Sequence, residues 1–272
     1  MDTVLTPIAF TLVAWWVSTG AVFGLLRLVF PLRVLAFGCV SVLALVALWG
    51  AYETANSTNL ASVYCGFACA IVVWGWQEFA FLTGFITGPS RAPCPEGCRG
   101  FTRFLRATAT LLWHEIAILL GALALFVATG DGANPVALQA YLVLWVMRIS
   151  AKLNLFLGVR NRSIELLPQA LTHLGGYFAR ARFNPLFPVS VTLGTVVAVV
   201  LVDHAMAPGA AASDQARGLM VATLLGLAIL EHWFLVLPLR LEALWDPILR
   251  GSSAPPAGTG GASQPMSSGA VP

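Results

Sequence analysis

Seven long apolar runs follow one another along this chain, at about 4–26, 34–53, 60–86, 107–128, 135–157, 187–206 and 218–238. A helix that crosses a bilayer needs about 20 apolar residues, and every run reaches that length. The gaps between them read as turns. Pro31 separates the first two runs, and the stretch 53–59 between the next two is polar. Gly88-Pro89 closes the third. Residues 129–134 form a short Gly/Asp/Asn turn, and Pro135 suits the first turn of the helix that follows. The pattern predicts an all-α, polytopic membrane protein of about seven transmembrane helices. No internal repeat is visible.

Composition points the same way. The chain is 58% hydrophobic and only 10% charged, against about 25% charged in a typical soluble domain. So few charges could not cover so much apolar side chain in water. Residues 1–250 therefore read as the membrane domain. Residues 251–272, all Gly, Ser, Ala, Pro and other uncharged types, read as a disordered tail. The first run follows Asp2 rather than a basic segment, and no cleavage site follows it, so no cleaved signal peptide is expected. A net charge of +3 gives no reason to expect a nucleic-acid partner.

What matters is where the charges sit. With the N-terminus outside, twelve arginines fall on the cytoplasmic side (Arg27, Arg33, Arg91, Arg99, Arg103, Arg106, Arg160, Arg162, Arg180, Arg182, Arg240 and Arg250) and Arg217 alone falls outside. Basic residues stay on the cytoplasmic side, so this orientation and an odd number of spans are expected, with the C-terminus in the cytoplasm. In a bacterium that places the chain in the inner (cytoplasmic or intracytoplasmic) membrane.

The longest connection, about 158–186, contains a candidate interfacial helix near 167–182. Leu167, Leu171, Leu174 and Phe178 recur at helical spacing, and Arg180 and Arg182 follow. This suits membrane lipids of the anionic inner leaflet; a connector packed on the bundle explains it equally. Cys39, Cys65 and Cys69 lie in apolar runs, where a free thiol behaves as a small hydrophobe. Cys94-Pro95-Glu96-Gly97-Cys98 shares one polar loop. It reads as a reduced turn, as a redox pair or as half of a shared metal site.

Ionisable groups inside a bilayer are costly and call for a reason. The third run carries Gln77 and Glu78, the fourth His114 and Glu115, the fifth Arg148, Lys152 and Asn154, and the seventh Glu231 and His232. At 1.5 Å per residue, Glu78, His114, Lys152 and Glu231 lie roughly 12–15 Å from Gly88, Arg106, Arg160 and Arg240 on the cytoplasmic side, with Arg148 a turn deeper. The simplest arrangement is one polar cluster. Glu78, Glu115 and Glu231 would face Arg148, Lys152 and Asn154, with His114 and His232 alongside. Such a cluster could be a neutralised packing network, a site for a metal or a metallated tetrapyrrole with imidazole as axial ligand, or a proton or ion path. Known metal signatures fit poorly. The adjacent His-Glu and Glu-His pairs are not the Glu-x-x-His of di-iron bundles, and there is no His-Glu-x-x-His. A retinal protein is excluded, because the one lysine of the chain, Lys152, is not in the last helix.

Several long stretches resemble the photosynthetic complex assembly family of anoxygenic phototrophs called PuhE. They are Ala14 to Gly20; Val73 to Glu78 with Phe81 to Phe85; Cys94 to Cys98; His114-Glu115; Leu144 to Arg148 with Ser150 to Asn154; Phe187 to Thr192; and Leu230 to Leu235. The resemblance spans nearly the whole membrane domain. It implies a role in assembling the reaction centre and light-harvesting complex, with their subunits or pigment-synthesis enzymes as partners, and with bacteriochlorophyll or a precursor tetrapyrrole as a ligand to handle. It implies no catalytic residue. Three functions remain open on the residues: a non-enzymatic assembly factor, a membrane enzyme acting on a tetrapyrrole or lipid through an intramembrane Glu/His metal site, and a small transporter.

Overall fold

The computed structural model describes residues 2–162, 164 and 167–237. The tail expected at 251–272 lies outside them. The chain forms α1 (Asp2–Leu26), α2 (Phe30–Thr54), α3 (Leu60–Leu82), α4 (Gly100–Thr129), α5 (Val136–Leu157), α6 (Leu186–Ala205) and α7 (Ala212–Val236). All seven are long and apolar enough to cross a membrane. Among the described residues there is no strand, only an isolated bridge between Val159 and Arg180.

α3 sits centrally, touching α1, α2, α4, α5 and α7, and α5 touches α3, α4, α6 and α7. The core between them holds Phe67 and Val73 of α3, Ile118 and Leu125 of α4, Tyr141 of α5 and Leu224 of α7. The outer helices present bare apolar side chains. On α2, Leu35, Leu45 and Trp49 are each about two-thirds exposed. Water would not tolerate so continuous an apolar surface, which suits lipid.

The helix ends differ from the runs in physically legible ways. Pro31 does not separate two helices. It stands in the first turn of α2, where its missing N–H costs nothing, and the break falls at Arg27–Val29. Gly88-Pro89 does not end α3, which stops at Leu82 and turns through Gly84 at φ +80°. α4 starts at Gly100 rather than 107, because Arg103 and Arg106 fail an apolar window yet continue the helix. The Arg103 guanidinium lies 4.1 Å from the centroid of the Phe156 ring and donates to the Phe156 carbonyl, tying this extension to the end of α5. α7 starts at Ala212 rather than 218, its first turns being polar and carrying the Asp214–Arg217 pair at 2.9 Å.

The long connection contains a nine-residue 3₁₀ helix, Gln169–Tyr177, rather than an α-helix. Leu171 and Leu174 are buried and pack with Phe81 of α3, with Leu82, Leu111, Leu167 and Phe178 around them. These leucines face the bundle.

Candidate functional site

α5 carries both intramembrane cations, and each is matched from a different helix. Arg148 Nη2 lies 2.5 Å from Glu78 Oε2 of α3. Lys152 Nζ lies 2.6 Å from Glu115 Oε1 of α4. The two cations sit four residues apart, one turn of helix, so they share a face and the two carboxylates approach it from neighbouring helices. Glu231 of α7 interacts electrostatically with both Arg148 and Glu78. It is exposed, and no hydrogen bond or ion pair among the described residues reaches it. Three carboxylates thus meet two cations, with Glu231 the odd one.

The expectation of a single cluster is corrected in two places. Asn154 does not join the charges. It is fully buried, donates to the Ser150 carbonyl at 2.9 Å and to Ser190 Oγ at 3.3 Å, and accepts from Asn184 Nδ2 at 3.1 Å. His232 belongs to the same chain, with Nε2 2.9 Å from Ser150 Oγ and Nδ1 2.8 Å from the Ala228 carbonyl of its own helix. Ser150 Oγ lies 2.8 Å from Ser190 Oγ, and Ser190 Oγ 2.9 Å from the Leu186 carbonyl. This second chain pins α5, α6 and α7 together by neutral bonds. His114 lies beside the charges as expected, close enough to Lys152 and Arg148 to interact with them electrostatically, but bonds to neither chain. It is fully buried, its ring is stacked 4.2 Å from Phe81, and neither ring nitrogen has a partner among the described residues.

The Glu/His metal site is not assembled either. Among the described residues no three of His, Cys, Asp and Glu are grouped to hold a metal ion. The reason is direct. Glu78 and Glu115 each aim at a cation, and His232 aims at a serine.

Apart from Gln77, the residues that follow were not singled out from the sequence. Tyr141 donates to the Ile118 carbonyl at 3.0 Å, and Gln77 donates to the Ala117 carbonyl at 2.9 Å, so α3 and α5 both bond to the backbone of α4. Gly121 makes this possible, since a Cβ there would collide with the Tyr141 hydroxyl. Asn134 donates to the carbonyls of Thr54 and Ser62 and joins the ends of α2 and α3. Asn184 accepts from the N–H groups of Leu186 and Phe187 at the start of α6. Asn just before a helical run is a capping signal that would have found it.

The Cys94–Cys98 loop closes on itself through Cys98 N–H to the Pro95 carbonyl at 3.2 Å, with Gly97 at φ +76°. It rests on the 3₁₀ helix, where Tyr177 donates to the Ala92 carbonyl and Gly176 lies against Cys94. Both thiols are free. Burial, followed by the neighbouring Cys98 thiol, pushes the Cys94 thiol up from its ordinary range.

A family model described as protein of unknown function (DUF3623) matches residues 1–255. The chain belongs to the DUF3623 family. A relative from Rhodobacter capsulatus, described as an uncharacterized 30.4 kDa protein in the puhA 5′ region, is 38% identical over 249 residues, 88% of each chain. No solved structure matches this DUF3623 protein.

Proposed function

We propose that this DUF3623 protein is a non-enzymatic membrane factor in the assembly of the bacterial reaction centre and light-harvesting complex. The observation that carries this reading is the relative's place in the puhA 5′ region. That prefix is shared with PuhE, the assembly family whose long stretches the sequence resembles. In this reading the protein sits in the inner membrane, with its arginine-rich end in the cytoplasm.

The geometry favours holding a protein client over ligating a pigment through histidine. An axial ligand must present a free nitrogen lone pair to open space. Both nitrogens of His232 are engaged, and His114 is sealed against Phe81. The polar groups of α3, α4 and α5 instead fix the bundle and leave its outer faces to neighbours.

Deleting the gene in a phototrophic host tests the reading. The assembled complex should fall in the near-infrared spectrum while transcripts of its subunits persist, and the full chain should restore it. Unchanged complex yield in the deletion strain would refute the assembly role. Purification in mild detergent would add the client: reaction-centre or light-harvesting subunits should copurify without a porphyrin-like band.

A further inference from the structure

We infer that Glu231 is an intramembrane docking point for a partner's transmembrane helix, one that brings a basic side chain to the same depth. The inference rests on the assembly reading and names the chemistry of the client it would hold.

The charge count leads to it. Arg148 is taken by Glu78 and Lys152 by Glu115, which leaves Glu231 the surplus carboxylate among the described intramembrane charges. It lies five residues before the last residue of α7, roughly 8 Å at 1.5 Å per residue. A carboxylate held there is costly unless something complements it. A basic side chain would supply the missing positive charge.

The surroundings are open to a helix. Glu231 is itself exposed, while the exposed stripe Gly226, Leu230, Trp233 and Leu237 lies about 100–160° round α7 from it. A Cβ at Gly75, one turn before Glu78 on α3, would meet nothing within 4 Å. Small residues let helix backbones approach closely in lipid. Unmet polar capacity lies just behind: Glu78 Oε1 and Arg148 Nε are buried without a hydrogen-bond partner among the described residues.

The test uses the full chain reconstituted in phosphatidylcholine vesicles. The probe is an idealised Leu/Ala transmembrane peptide with one Lys at the depth of Glu231, compared with the same peptide carrying Ala there. Association is read by energy transfer. The Lys peptide should associate about three- to tenfold more tightly, the scale of polar contacts between membrane helices. Glu231→Gln should abolish that increment, and Glu53→Gln, at the far end of α2, should keep it. Glu231→Lys reverses the charge, so it should move the increment from the Lys peptide to the same peptide carrying Glu at that depth. This variant covers the case in which Glu231→Gln fails to fold.

No increment, an increment unchanged in Glu231→Gln, or one that stays with the Lys peptide in Glu231→Lys would overturn the docking site. Loss of the increment when phosphatidylethanolamine replaces phosphatidylcholine would assign Glu231 to a lipid amine and overturn it too. A deletion strain with normal complex yield would refute the assembly reading and leave this measurement standing.

Discussion

The backbone N–H of His114, in the middle of α4, donates to the carbonyl of Thr87 at 2.8 Å. The Ser90 N–H in turn donates to the carbonyl of Ala109 on the same helix at 3.3 Å. The chain after α3 is therefore stitched to the backbone of α4 on either side of Gly88. A side chain at Gly88 would collide with the Ala109 carbonyl and the Thr110 backbone. Backbone cannot swing away as a flexible side chain can. Gly88→Ala should cost about 1–3 kcal/mol, the usual scale of overpacking, and lower the melting temperature in detergent. A melt equal to wild type would show that the segment can shift freely.

His232 is bonded through both ring nitrogens, so its loss should register as stability rather than as bound pigment. His232→Gln should lower the melting temperature, and Ser150→Ala should do so by about 1 kcal/mol, the typical net value of one hydrogen bond. Absorbance of the purified protein should be the same in wild type and both variants. A pigment band in the wild type that disappears only in His232→Gln would reverse this assignment.

The fold was far more legible than the site. Seven runs of adequate length predict seven helices, because in lipid each span must satisfy its own backbone and so declares itself by length and hydropathy. The helix ends were less legible. α4 and α7 each extend by about two turns through charged residues such as Arg103 and Asp214, which an apolar window rejects. The identity of the charged residues was visible from their cost in lipid, and Arg148 and Lys152 do face carboxylates. Their sorting was not visible. It depends on helix rotation, which places Arg148 and Lys152 on one face of α5 and Ser150 and Asn154 toward α6. Gly88 and Gly121 were invisible for another reason: their role is the space they leave for Ala109 and Tyr141, and spacing along one helix says nothing of what approaches it.

Cys94 offers a chemical test of the loop. The thiolate is the nucleophile, and burial together with the Cys98 thiol disfavours it at Cys94. At neutral pH Cys94 should therefore alkylate more slowly than glutathione under the same conditions, as followed by mass spectrometry in a Cys98→Ser background and in wild type. Removing Cys98 should speed the reaction. Equal rates in the two backgrounds would show that the thiols do not interact.

Reporter fusions would fix the orientation. With the arginine-rich end in the cytoplasm, fusions after about 56, 131 and 210 should report as external, and those after about 30, 95 and 170 as cytoplasmic. A single clear inversion among these sites would break the alternation of the seven spans.

The pairing of Arg148 with Glu78 makes the sharpest demand on the bundle. Removing one partner of a buried pair leaves the other as an uncompensated charge, typically at about 3–5 kcal/mol when burial is complete. The Arg148 side chain keeps about a third of its exposure, so Arg148→Ala should cost less, about 1–3 kcal/mol. Arg148→Ala and Glu78→Gln should each lower accumulation and melting temperature. The double variant should recover much of the loss, because a neutral amide facing a methyl group leaves no stranded charge. Glu115→Gln should not rescue Arg148→Ala, since Glu115 is held by Lys152 at 2.6 Å; it should rescue Lys152→Ala instead. The outcome is therefore a pattern of two matched and two mismatched doubles, read as coupling energies. Rescue of Arg148→Ala by Glu115→Gln but not by Glu78→Gln would mean the helices are rotated differently, with the pairs exchanged. If no double variant recovers stability, the four residues do not pair at all.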